Sequence, residues 1–511
     1  MHHFGFARLA AGTLPRYVCG EPAILQAHKQ CIDQALALRA EVLVFPAMSL
    51  FGDWEESDLY QDDKLLGAVQ SLSALLSWTA GSDMVVVAGL PLICRNMVYQ
   101  TAAVVQRGKL LAVIPGNAAV DDPGDITVLQ QAVPFSADIL IRTKNYTMGI
   151  VPGGSLASKA MSLTRQGATL LVHMDARQCT AGGFDSKKAE LSVLSANTHT
   201  GILYANFGDG ASGRVYGGER YLYEDGRLLC ESRQINRLLI GEMDSQAMKK
   251  RQRAAGIQYT PRIEVTAAAS AWQLDKLSCT LGQTPYLNVP VQTLEEILQL
   301  QADMICARLH ETAAATISVM ASGGANTALV MLSCNRAVQQ DPSVKERIRI
   351  VISDDMRQLK GASVPDLTAL AENLGLPVSN CAADDSLLVR TDDLSDIAFG
   401  ASVDREIYCN GSLPKMAIYK LLEAADMELP KAFLHLSIAE AGYIAYDYFL
   451  YYRLRYGFEQ EKVLFMARQA FAGVFDAQQI DTMYQYFDQR CIPAGRILAQ
   501  MGQDLLGIVC E

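Results

Sequence analysis

Thr316-Ile317-Ser318-Val319-Met320-Ala321-Ser322-Gly323-Gly324-Ala325-Asn326-Thr327-Ala328-Leu329 is the stretch that decides how the chain folds. Its β-branched and apolar start predicts a buried strand at 316–320, the Gly-Gly pair predicts a turn, and the apolar spacing from Asn326 predicts a helix. Strands predicted at 348–352 and 377–380, with a helix at 364–374 between them, extend this unit to a doubly wound parallel α/β domain. A helix from Thr293, carrying Leu294, Ile297, Leu298, Met304, Ile305 and Leu309, precedes the stretch, and a mostly helical tail follows from about Lys415.

Working toward the N-terminus, Ile24, Leu25, Cys31, Ile32, Ala35 and Leu36 recur at helical spacing, and Val42-Leu43-Val44-Phe45 reads as a buried strand ended by Pro46. Strands are predicted at 84–88, 98–105, 110–114, 147–151, 170–173 and 202–206, with a turn at Arg107-Gly108 and helices at 156–166 and 187–198. This is a layered α/β domain over residues 1–245. Residues 246–290, with the basic Lys249-Lys250-Arg251 group and Pro261, Pro285 and Pro290, read as a connector to a second domain at 291–511.

At about 150 residues per domain, 511 residues allow two to four domains, and a 50% hydrophobic composition lets each bury a core. No run of 18 apolar residues is present to cross a bilayer. With 44 Lys plus Arg against 55 Asp plus Glu, the net charge of −11 disfavours nucleic acid as a partner. The first residues lack the basic start and long apolar stretch of a secretory signal, so a cytoplasmic protein is expected. None of the 12 cysteines forms a C-x-x-C pair, which predicts buried reduced thiols, and the turn-spaced Cys306 and His310 lack further metal ligands and read as a helix surface pair.

Phe45-Pro46-Ala47-Met48-Ser49-Leu50-Phe51-Gly52 resembles the first active-site segment of the nitrilase superfamily. Ala321 to Leu329 resembles the pyrophosphate loop of the ATP-pyrophosphatases, usually Ser-Gly-Gly-x-Asp-Ser. In this order the two resemble glutamine-dependent NAD+ synthetase. Gly89-Leu90-Pro91-Leu92, Gly108-Lys109-Leu110-Leu111-Ala112-Val113-Ile114-Pro115, Asp393-Leu394-Ser395 and Phe449-Leu450-Tyr451-Tyr452-Arg453-Leu454-Arg455-Tyr456-Gly457-Phe458 carry the resemblance along the chain. It implies an N-terminal nitrilase-like αββα sandwich and a C-terminal doubly wound parallel domain of the adenine nucleotide alpha-hydrolase-like kind.

The resemblance also implies a Glu-Lys-Cys triad for glutamine hydrolysis, in which a thiolate attacks, a carboxylate moves the proton and an ammonium steadies the intermediate. The corresponding positions here are Ala47, Gly116 and Gly153, and no cysteine lies between Cys94 and Cys179. Ser155 and Ser158 have no base to activate them and read as turn and cap residues. In the second domain the resemblance implies a nucleotide site at Ser322, Gly323, Gly324, Asn326, Thr327 and Lys415. Asn326 stands for the loop's Asp and Asp396 for a metal-binding Glu, which leaves both as poor Mg2+ ligands. A nucleotide-binding helix of the family has no counterpart before residues 389–394, and 353–358 do not match its Gly-Phe-Gly-Thr-Ser segment.

The expectation is a degenerate homologue without catalytic residues, serving a binding, regulatory or assembly role. The alternative is an ammonia-dependent, ATP-dependent amidating ligase, with ATP and Mg2+ the only cofactors the resemblance leaves open. The partners expected are further copies of the chain and an intact NAD+ synthetase, and the apolar helical face of Val463, Leu464, Met466, Ala467, Ala470 and Phe471 is the surface expected to support assembly.

Overall fold

The computed structural model describes residues 4–15, 22–116, 124–211, 214–235, 237–260, 263–269, 274–287, 290–311, 316–352, 362–384, 386–401, 407–424, 429, 431–434, 442–499 and 503–506. The chain divides into two units, Met1–Cys279 and Thr280–Glu511, and the division falls inside the stretch read as a connector.

In the first unit the elements run β1 (Phe6–Ala11), α1 (Pro22–Ala37), β2 (Val42–Val44), α2 (Asp62–Thr79), β3 (Val85–Cys94), β4 (Met97–Gln106), β5 (Lys109–Pro115), β6 (Gly124–Val128), β7 (Gln131–Phe135), β8 (Ile139–Arg142) and β9 (Thr147–Pro152). They continue with α3 (Ala157–Arg165), β10 (Leu170–Met174), α4 (Gly183–Thr198), β11 (Gly201–Ala205), β12 (Gly208–Ala211), β13 (Arg214–Gly217), β14 (Arg220–Glu224), β15 (Arg227–Ser232), β16 (Leu239–Asp244), α5 (Ser245–Ala254) and β17 (Ile263–Thr266). The strands form an eight-stranded sheet, β16-β1-β2-β3-β4-β5-β7-β6, and a seven-stranded sheet, β15-β14-β11-β10-β9-β8-β17.

Strand alternation builds the layers. Ala7, Leu9 and Ala11 of β1, Val42 and Val44 of β2, and Leu170, Val172 and Met174 of β10 face one buried core between the two sheets. Ala10, Leu43, Val86 and Ala103, on the other face of the first sheet, pack on Cys31, Ile32 and Ala35 of α1 and on Leu65, Leu72 and Leu75 of α2. Leu171, Ile202 and Tyr204 of the second sheet pack on Ala160 and Leu163 of α3 and on Leu191 of α4. The unit is therefore an αββα sandwich. Both faces of its central strands are buried, which is why they read as continuous apolar runs.

β1 is a strand that the sequence pattern conceals, because Arg8 interrupts its apolar run. Its partner β16 supplies Glu242, whose Oε1 accepts from Arg8 Nε at 2.6 Å across the antiparallel pair. Residues 246–266, read as connector, instead contribute α5 and β17, the latter pairing in parallel with β8.

The second unit runs α6 (Pro290–Glu311), β18 (Thr316–Ala321), α7 (Ala325–Gln340), β19 (Ile348–Ile352), α8 (Val364–Asn373), β20 (Val378–Ser379), β21 (Ser386–Arg390), α9 (Leu394–Ala398), β22 (Ile407–Tyr408) and α10 (Lys415–Ala424). The helical tail consists of α11 (Tyr443–Tyr456), α12 (Gln460–Ala470), α13 (Ala477–Arg490) and α14 (Ala494–Leu498). All pairings in the sheet β20-β19-β18-β21-β22 are parallel. The strand order reverses beside β18, so the ends of β18 and β21 open a crevice at the position where such sheets place ligands.

Two sequence expectations are corrected here. Val463, Met466, Ala467 and Phe471 are 1%, 3%, 0% and 0% exposed, packed inside the second unit by α11 and α13, so this face is spent on the unit's own core and cannot serve assembly. Cys306 is buried in the same core rather than on a surface, and His310 turns outward to Asp341 Oδ2 at 3.1 Å.

Candidate functional site

The three triad positions come together at one end of the sandwich. Ala47 follows β2, is fully buried, and its N–H donates to the Asp175 carbonyl at 3.2 Å just after β10. Gly116 follows β5, its N–H donating to the Gln100 carbonyl of β4 at 2.8 Å. Gly153 follows β9, its N–H donating to the Met174 carbonyl at 2.7 Å. Each position is thus welded by its backbone to a neighbouring strand.

Space is as decisive as chemistry. A Cβ on Gly116 would lie 2.5 Å from the Pro152 carbonyl oxygen, and one on Gly153, where φ is +70°, would lie 2.4 Å from Gln100 Oε1. Both positions therefore require glycine, Gly116 for close approach of two strands and Gly153 for its left-handed backbone. Gln100 fills the space beside Gly153. It was not singled out in the sequence, where it looks like any polar residue on a strand.

Among the polar groups nearby, Tyr204 donates to Asp175 Oδ2 at 3.0 Å, Glu219 Oε1 accepts from Arg177 at 3.2 Å and from Asn206 at 3.1 Å, and His173 Nε2 sits 3.2 Å from the Gly154 carbonyl. Burial holds the His173 imidazole below its usual pKa, so it stays neutral. Ser158 donates to the Ser155 carbonyl at 2.8 Å as an ordinary turn serine.

In the second unit Ser322, Gly323, Gly324, Asn326, Thr327, Asp396 and Lys415 also converge, at the crevice beside β18. β18 delivers the Ser322–Gly324 turn, and Gly323 (φ +90°) lets the chain reverse into α7. The backbone N–H groups that would face a phosphate are engaged: Thr327 Oγ1 accepts from Ser322 N at 3.0 Å and from Gly323 N at 3.2 Å. Ser322 Oγ is within 3.2 Å of both the Thr327 and the Thr391 hydroxyls.

Beside the turn, α9 begins with a capping box in which Asp393 accepts from Asp396 N at 2.9 Å and Asp396 accepts from Asp393 N at 3.3 Å. Lys415, at the start of α10, donates to Asp393 Oδ2 at 2.6 Å and to Asp396 Oδ1 at 3.3 Å, with its Nζ 5.1 Å from the Tyr443 ring centre. Asn326 Nδ2 donates to Asp393 Oδ2 at 2.8 Å. Burial, and then Asp396, push the Asp393 carboxyl above the usual range. Burial opposes the charge on Lys415, but the two carboxylates outweigh it and hold the ammonium protonated, above the usual lysine range.

These residues suit a divalent cation poorly. Asp393 and Asp396 already share one ammonium and the Asn326 amide N–H, so Mg2+ would have to expel Lys415 to reach them. No group of three or more His, Cys, Asp or Glu side chains is poised for a metal among the described residues.

Asp447 on α11, unmarked within an aromatic run, closes the network from below. Fully buried, it accepts from Ser395 Oγ and from Met416 N at 2.7 Å, and burial raises its pKa to about 7. Asn410 joins α7 to β21 by donating to the Asn326 carbonyl at 3.0 Å and the Thr391 carbonyl at 3.2 Å. Residues 353–358, which entered the sequence argument, lie outside the described residues.

No protein-family model matches the chain. It is 27% identical over 283 residues to the glutamine-dependent NAD(+) synthetase of Mycobacterium tuberculosis (strain ATCC 25618 / H37Rv), covering 48% of this chain and 40% of that protein. It is 24% identical over 391 residues to the Mycobacterium leprae (strain TN) enzyme of the same name, covering 66% of this chain and 56% of the relative. The chain thus spans about half the length of these curated relatives. Among solved structures, a glutamine-dependent NAD(+) synthetase from Cytophaga hutchinsonii aligns with 94% of this chain and 91% of its own, at a TM-score of 0.43 and 12% identity.

Proposed function

We propose that this chain, which belongs to the glutamine-dependent NAD+ synthetase family, keeps both α/β scaffolds without the amide chemistry and acts as a binding, regulatory or assembly protein. The make-up of the triad positions carries this reading: Ala47 has no proton to move, Gly116 has no room for a side chain against the Pro152 carbonyl, and Gly153 holds a left-handed backbone that disfavours one. Loss of one group of such a triad disables the rest, because they act as a unit. The test is glutamine hydrolysis followed by glutamate release, together with covalent labelling by a glutamine-directed diazoketone. Neither should exceed the blank, and a glutamyl thioester recovered from the protein would overturn the reading.

A second reading, an ATP-dependent ligase using free ammonia, is favoured by one observation. Lys415 and the Ser322–Gly324 turn remain in the same crevice as Asp393 and Asp396. On the first reading this crevice takes phosphate groups weakly at most, since the loop donors and the ammonium are already partnered. Ammonia-dependent pyrophosphate release with ATP, Mg2+ and nicotinic acid adenine dinucleotide would favour the ligase. The same proposal includes a homo-oligomer, and mixed assembly with an intact synthetase, through surfaces other than the buried α12 face.

A further inference from the structure

We propose that a cavity on the first unit, between the end of α1, strand β15 and the start of β16, binds a small soluble organic anion with an apolar body, an amphiphilic carboxylate or phosphate. Its volume is about 960 Å³, at the upper end for small-molecule sites. Leu38, Leu238, Leu239 and Ile240 give it apolar walls, and Leu38 is 45% exposed in their midst.

The charges in its lining are lopsided. It carries Lys188, Arg233 and Arg237 against one carboxylate, Glu231, which Lys188 already holds at 2.5 Å. Arg233 stacks 3.9 Å from the Phe184 ring centre, and neither Arg233 nor Arg237 has a carboxylate partner among the described residues. On a chain of net charge −11, two arginines without an ion-pair partner among the described residues on one cavity are a local reversal of sign.

A third guanidinium lies beneath them. Arg220 is fully buried, and its acceptors are all neutral: the Arg237 carbonyl, the Gln234 carbonyl at 2.8 Å and Ser232 Oγ at 2.9 Å. Its Nε has no partner among the described residues. Every one of those acceptors belongs to a residue that lines the cavity. Arg220 therefore does two things: it braces the lining backbone in place, and it adds a buried positive charge that no carboxylate among the described residues offsets. A bound anion would supply the missing counter-charge, with planar guanidinium forks suited to carboxylate or phosphate oxygens, while the walls take the apolar body.

Titration calorimetry of the full chain with octanoate, octyl phosphate, 1-octanol and inorganic phosphate tests this. Octanoate and octyl phosphate should bind at one site, at least tenfold more tightly than octanol or inorganic phosphate. The exposed double substitution Arg233→Gln and Arg237→Gln should weaken them at least tenfold, while Arg107→Gln with Arg142→Gln, removing equal charge elsewhere, should leave them unchanged. Equal affinity for octanol, equal losses in both double variants, or no heat with either anion would overturn the proposal. Sedimentation with anionic phospholipid vesicles that the Arg233/Arg237 variant abolishes, without binding of the soluble anions, would assign the surface to a membrane and overturn it too.

Discussion

Gly116→Ala is the smallest change that tests whether the first site is closed by space rather than merely short of functional groups. The new methyl would sit 2.5 Å from the Pro152 carbonyl oxygen, where ordinary contact begins at 3.4 Å. That oxygen cannot withdraw freely, because Pro152 pairs with Met174 in the sheet and the next residue, Gly153, donates to the Met174 carbonyl at 2.7 Å. Nor can Gly116 retreat without lengthening its 2.8 Å bond to the Gln100 carbonyl. Overpacking of this kind costs about 1–3 kcal/mol, which at about 2–4 °C per kcal/mol lowers the melting temperature by roughly 2–12 °C. Gly67→Ala, in α2, is the matched control with the opposite sign. Nothing lies within 4 Å of its Cβ, so replacing a helical glycine should stabilise by about 0.5–1 kcal/mol. Differential scanning calorimetry of the two variants beside the parent gives the comparison. A Gly116→Ala protein that melts with the parent would refute the steric account.

In the second unit, Lys415→Met strips the ammonium from two buried carboxylates and should destabilise by about 3–5 kcal/mol, measured as a fall in melting temperature, with Lys415→Arg losing less. For Asp447, burial raises the folded pKa to about 7 from an ordinary 3.8. The folded state then binds the extra proton between those values, so stability falls as pH rises from about 4 to about 7, and Asp447→Asn should flatten that part of the denaturation profile. His28 shifts the other way: burial lowers it to about 4, so its contribution to stability grows as pH rises from about 4 to 6.5. Light scattering at micromolar concentration should return a multiple of 55.6 kDa, and a single-chain mass would remove the homo-oligomer.

Much of this fold is legible because its central strands are buried on both sides. Val42-Leu43-Val44 and Leu170-Leu171-Val172 announce themselves as apolar runs. β1 and β21 do not: charged Arg8 and Arg390 sit within or at the end of short strands, and Arg8 finds its carboxylate, Glu242, only in the folded chain. The apolar face of α12 misled for a related reason. A helical stripe reports that it will be covered, but not whether its own unit or another copy covers it. At the sites, absences were readable and replacements were not. Ala47, Gly116 and Gly153 can be seen to lack a base, a cation and a thiol, yet the fit of Gln100 against Gly153, and of Asp447 under Ser395, depends on strands and helices remote in sequence.

The two candidate sites are occupied from within by different physics, and the difference sets what each can do. In the first unit Gly116 abuts the Pro152 backbone carbonyl and Gly153 the Gln100 side-chain amide, at the meeting of four strands. In the second the obstacle is a set of internal substitutes. Thr327 stands in for a phosphate oxygen toward the Ser322 and Gly323 N–H groups, and Lys415 stands in for a cation between Asp393 and Asp396. Substitutes of that kind can be displaced by something that binds better. A phosphate entering the crevice would have to draw Lys415 away from a 2.6 Å ion pair whose carboxylate is fully buried, leaving Asp393 and Asp396 to repel each other and the incoming charge. Binding there is consequently tied to neutralising this acidic pair, and it should strengthen as pH falls toward the raised protonation range of Asp393, the reverse of what a metal-dependent nucleotide site would do.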